Sequence, residues 1–73
     1  MSTESPKEWS TRIGETAGAI WRALEAGGPM SLAKLVKTVG KPRDLVMQAL
    51  GWLAREDKVV LKDNGKTREV SLR

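Results

Sequence analysis

The apolar positions of this chain change period once, and that change divides it into a helical part and a stranded part. Ile13, Ala17, Ile20, Trp21 and Leu24 recur at helical spacing. At ~100° per residue they share one face of an amphipathic helix. Ser10 or Thr11 can cap its start, because either hydroxyl accepts from an unpaired backbone N–H. Gly27-Gly28-Pro29 stops it, since Gly closes a helix and Pro cannot continue one. Residues 1–9 are polar, carry Pro6, and read as a flexible N-terminal tail, leaving 10–73 as the domain. Met30 can pair as a very short strand. Leu32, Leu35, Val36 and Val39 then follow the i, i+3, i+4, i+7 pattern of a second helix, with Ser31 as its cap and Gly40 as its end.

Only Gly40 and Lys41 precede a third helix, over about residues 41–56, with Pro42 suited to its first position. Two short helices across a tight Gly turn, behind a longer one, have the spacing of a helix-turn-helix. After Asp57-Lys58 the period falls to two. Val59–Lys62 and Thr67–Leu72 read as strands. Asn64-Gly65 between them predicts a type I′ hairpin, which needs positive φ at both central residues. The expected fold is therefore α+β, a winged helix-turn-helix: three helices followed by a two-stranded β-hairpin wing, in the order α1, short β1, α2, α3, β2, β3.

Length and composition then narrow the function classes. Seventy-three residues make one small domain with a thin core. Cys and His are absent, which removes disulfides, thiol and imidazole catalysis, and the common zinc ligand sets. Glu56-Asp57 is the one adjacent acidic pair, and it falls at a helix end. Ser31 has no His to activate it, and Gly27-Gly28 lacks the Lys and Ser/Thr of a phosphate loop. No catalysis, cofactor or metal is expected. No apolar run is long enough to span a membrane, and the start has no secretory signal, so a cytoplasmic location is the default. The net charge is +4. The first ten residues are net −1 and the next eighteen neutral, so the whole excess follows the first helix. A basic balance so placed is compatible with nucleic acid.

The segments Gly14–Trp21 (GETAGAIW) and Ala49–Glu56 (ALGWLARE) resemble a family of small, stand-alone prokaryotic winged helix-turn-helix proteins. The likeness covers about residues 11–72. It implies the winged-helix fold and, through the broader class of bacterial regulators, DNA binding by analogy.

On the third helix, Val46, Ala49, Leu50 and Leu53 form the core face, and Asp44, Gln48, Gly51 and Arg55 the outward face. If double-stranded DNA is the partner, this helix enters the major groove. Gln48 can read adenine and Arg43 guanine, with Arg55 on the same exposed side. Ser31, Lys34 and Lys41 would hold phosphates, and Lys62, Lys66 and Arg68 would carry the wing over the backbone. Leu45 and Trp52 share one flank, and Met47 lies on the other. Helix one or the wing covers these apolar groups, or they form a patch for a protein partner or a homodimer. Gly14 and Gly18 read as a packing device that lets a neighbouring element approach. The alternative function is thus protein–protein contact or self-association, through these flanks or the Gly14/Gly18 side of helix one.

Overall fold

The computed structural model describes residues 6–73, with side chains from Glu8 onward. Its elements run α1 (Pro6–Gly27), β1 (Met30–Ser31), α2 (Leu32–Val39), α3 (Arg43–Arg55), β2 (Val59–Asp63) and β3 (Arg68–Leu72). This is the winged-helix order. The expected tail needs correction: residues 1–5 lie outside the described residues, but residues 6–9 are the first turn of α1. Two features favour that longer start. Pro6 costs nothing in a first turn, where its missing N–H has no partner anyway, and Glu8 faces the positive end of the helix dipole.

The three helices and the sheet share one core. Ile20, Leu35, Val46, Ala49 and Val70 are wholly buried, joined by Leu24, Leu50, Leu53 and Val59. Each large apolar side chain so placed stabilises the fold by roughly 1.5–3 kcal/mol relative to exposure. Met30 pairs with Val70 and Ser31 with Glu69, so the short β1 makes β3 the central strand of a three-stranded antiparallel sheet, β1-β3-β2.

The two turns that aim α3 have separate solutions. Gly40 takes a left-handed conformation (φ 71°) and donates its N–H to the Val36 carbonyl, which ends α2. Pro42 caps α3 from just outside it, one place earlier than expected, with its carbonyl accepting from the Val46 N–H at 3.0 Å. At the far end Asp57 (φ 63°) occupies the place usually held by Gly. The Asp57 N–H donates to Ala54 and the Lys58 N–H to Leu53, a Schellman closure. Arg73 then ties the chain end to that turn through its N–H to the Lys58 carbonyl and an ion pair to Asp57 at 3.2 Å.

Three further expectations change. The hairpin is not a two-residue type I′ turn: Asp63 pairs with Arg68, the connection is Asn64–Thr67, and of Asn64 and Gly65 only Gly65 has positive φ. Asp63 supplies the difference, its Oδ1 accepting from the Gly65 N–H at 2.8 Å while the Asn64 N–H donates to Thr67. Among the described residues no element packs over Gly14 or Gly18. A Cβ at Gly14 would meet nothing within 4 Å, and at Gly18 only the Arg22 guanidinium of the same helix. Trp21 is 37% exposed. It lies roughly 80° round from the centre of the Ile20/Leu24 stripe at ~100° per residue, at the margin of the buried face.

Candidate nucleic-acid interface

α3 is held to the core through one face and leaves the other free. Val46, Ala49, Leu50 and Leu53 are buried, while Asp44, Gln48, Gly51 and Arg55 are exposed along the opposite side and Arg43 is exposed in the first turn. That outward row begins with an acid, which phosphate would repel, yet the structure gives Asp44 a local task. α3 has no side-chain N-cap, and Asp44 Oδ1 accepts the Leu45 N–H at 2.9 Å. The carboxylate is turned onto its own helix end, where it satisfies a donor that would otherwise lack a partner.

Around this row the basic groups come from three places. Lys41 stands exposed in the turn immediately before α3. Ser31 caps α2, its Oγ accepting the Lys34 N–H at 3.2 Å, and the Lys34 side chain is exposed beside it. Lys62, Lys66 and Arg68 are exposed on the wing. Register limits the wing's excess charge: Lys62 stands opposite Glu69, and Arg68 opposite Asp63. Opposed charges across an antiparallel pair stabilise the hairpin, so Lys66 at the tip is the wing cation without an acid opposite it.

The three apolar flank residues separate. Leu45 is only 7% exposed, so it offers no surface to a partner and leaves the candidate interface. Met47 is half-buried against the core and lines a cleft of about 280 Å³ with Leu32, Leu50, Leu61 and Arg68, between α3 and the wing. Trp52, seven residues after Leu45 on the same flank, is 54% exposed. Leu61 was missed by pattern reasoning. It faces inward in register with Val70, but β2 extends past the edge of the core there and leaves it 50% exposed.

A family described as "Winged helix-turn-helix domain (DUF2582)" matches residues 6–72. The chain belongs to that family. It is 51% identical over 59 residues to the uncharacterized protein MJ1608 of Methanocaldococcus jannaschii, covering 75% of this chain and 83% of that one. Among solved structures it is similar to the protein BT2368 of Bacteroides thetaiotaomicron, with TM-score 0.76 and 32% identity over 86% of this chain and 77% of the other. The Zalpha domain of Carassius auratus PKZ, solved in complex with Z-DNA, superposes with TM-score 0.72 at 21% identity, covering 84% of this chain and 97% of that domain. At that identity the likeness establishes the shared winged-helix fold.

Proposed function

We propose that this winged-helix domain is a non-catalytic DNA-binding module, acting as a transcriptional regulator, with α3 in the major groove and residues 62–68 of the wing on the backbone. The observation that carries this reading is the free outward side of α3, where Gln48 and Arg55 are exposed, with Arg43 exposed in the first turn and Asp44 engaged by its own helix end. Arg43 and Gln48 supply the two side-chain types that pair bidentately with guanine and adenine. Lys34, Lys41 and Lys66, with the start of α2 at Ser31, supply the phosphate contacts that fix register, and Lys62 and Arg68, offset by Glu69 and Asp63, lie beside them on the wing. A solved domain of the same fold is in complex with Z-DNA, which supports nucleic acid as the partner class.

Binding should weaken steeply with salt. Four phosphate contacts give a slope of about −3.6 in log affinity against log salt, so affinity should fall by roughly 100-fold between 50 and 200 mM. Fluorescence anisotropy with a labelled mixed-sequence duplex and a Z-forming alternating CG duplex measures it. Salt-dependent binding to the mixed-sequence duplex that weakens in Lys41→Ala and Arg43→Ala is the expected result. Binding confined to the Z-forming duplex would refute major-groove reading, and no binding to either at low salt would refute the DNA reading as a whole.

A further inference from the structure

One broad concavity is not on the proposed DNA side. It is a groove of about 1020 Å³ between α1 and the C-terminal end of α3. Gly14, Gly18, Leu72 and Arg73 line it, and Trp21 and Trp52 stand exposed along it. It shares no residue with the proposed DNA contacts. From this geometry we infer that the groove receives α1 of a second copy of the chain, packed antiparallel, giving a two-fold symmetric dimer.

Three observations select that occupant. The first is fit. An antiparallel helix centred on Thr16 sets Gly14 of one copy opposite Gly18 of the other, and Thr11 opposite Trp21. A self-complementary contact of this kind is what a two-fold interface requires. The space over Gly14 is open, and only the mobile end of Arg22 covers Gly18, so two helix backbones can approach closely there.

The second is charge. Glu8, Glu15 and Arg22 are exposed and spaced by seven, so they form one row beside the glycines. In the antiparallel register, at 1.5 Å rise per residue, Arg22 of one copy lies within about 3 Å axially of Glu8 of the other. Glu15 meets its own copy near the two-fold in that register, so two opposite-charge pairs are set against one like pair. A parallel pair would set Glu8, Glu15 and Arg22 each against its own kind, three like pairs, so the row favours the antiparallel direction.

The third is area. Trp21 and Trp52 are 37% and 54% exposed. With a Trp surface of ~250 Å², the pair offers about 230 Å² per copy and about 450 Å² per dimer. That is roughly a third of the 1,200 Å² at the lower end of stable interfaces. The α1 apolar stripe is buried in the chain's own core and adds nothing, so the remainder falls to the exposed polar residues beside the glycines and the dimer is a weak one.

Sedimentation equilibrium on the full chain, from about 1 μM to about 1 mM, tests this with three variants. Gly14→Gln fills the groove but not the core, so its thermal transition should stay at or above that of the parent while association weakens by more than 10-fold. Arg22→Glu should weaken association several-fold at low salt, and Glu8→Arg combined with Arg22→Glu should recover it. A parent chain that is monomeric throughout overturns the proposal and leaves the groove to a different protein. A folded Gly14→Gln that associates like the parent overturns it also. Loss in Gly14→Gln without any effect of Arg22→Glu overturns the antiparallel register.

Discussion

Two glycine-to-alanine substitutions test how the sequence aims α3, because they add the same methyl group and should move stability in opposite directions. At neither Gly40 nor Gly51 would the new Cβ meet any atom within 4 Å. Packing is thus removed from the comparison, and backbone conformation decides. Gly40 holds φ 71° at the end of α2, where an L-residue with a Cβ is disfavoured by roughly 1–2 kcal/mol. Restricting the unfolded chain returns about 0.4–1 kcal/mol of that, which leaves a net destabilisation near 0.5–1 kcal/mol. Gly51 lies in the interior of α3 with helical geometry. Ala is preferred there by about 0.8–1 kcal/mol. The two variants should therefore differ by about 1.5–2 kcal/mol. For a domain of this size each kcal/mol is worth ~4–8 °C in Tm, so their melting temperatures should differ by roughly 10 °C, with the parent between them. Urea denaturation gives the same order, with slopes unchanged. A neutral or stabilising Gly40→Ala would show that α2 does not end through a left-handed residue. The helix-turn-helix geometry built on that turn would fall with it.

Two further substitutions test the core. Thr16 is buried with its Oγ1 unpartnered, so Thr16→Val, which keeps the shape and removes the desolvated hydroxyl, should stabilise by about 1 kcal/mol in urea denaturation; a loss of stability would show that the hydroxyl has a partner. Leu35 is wholly buried where α2 meets the core, so Leu35→Ala should destabilise by about 2–5 kcal/mol in the same assay, and a change under 1 kcal/mol would contradict this packing.

The fold was legible because its signals are local and agree with one another. The helical apolar stripes, the Ser31 cap, the Gly40 stop and the switch to period two each specify one element, and all fit the same order of elements. The misses are places where a nonlocal or a competing local contact decides. Asp63 captures the Gly65 N–H and replaces the turn that Asn64-Gly65 favours by itself. Trp21 lies at the margin of its stripe, and whether a residue there is covered depends on where α3 ends. Leu45 and Trp52 share a flank by periodicity, but the fold buries one and exposes the other. The i, i+4 spacing of Gly14 and Gly18 suits close approach of a neighbouring element, which the described residues do not make. The exposed row on α3 was visible from the same arithmetic that placed its core face. The groove was not, because its walls come from α1, α3 and the chain end, which no sequence window contains together.

The most direct measurement of the central claim is amide chemical-shift mapping of the isotope-labelled chain with a mixed-sequence DNA duplex at low salt. The account predicts shifts at Ser31, Lys34, Lys41, Arg43, Gln48 and Arg55 and across residues 62–68. These should fade together as salt is raised, while Gly14, Gly18 and Trp21 stay unmoved. No shifts, or shifts centred on the groove between Trp21 and Trp52, would contradict it.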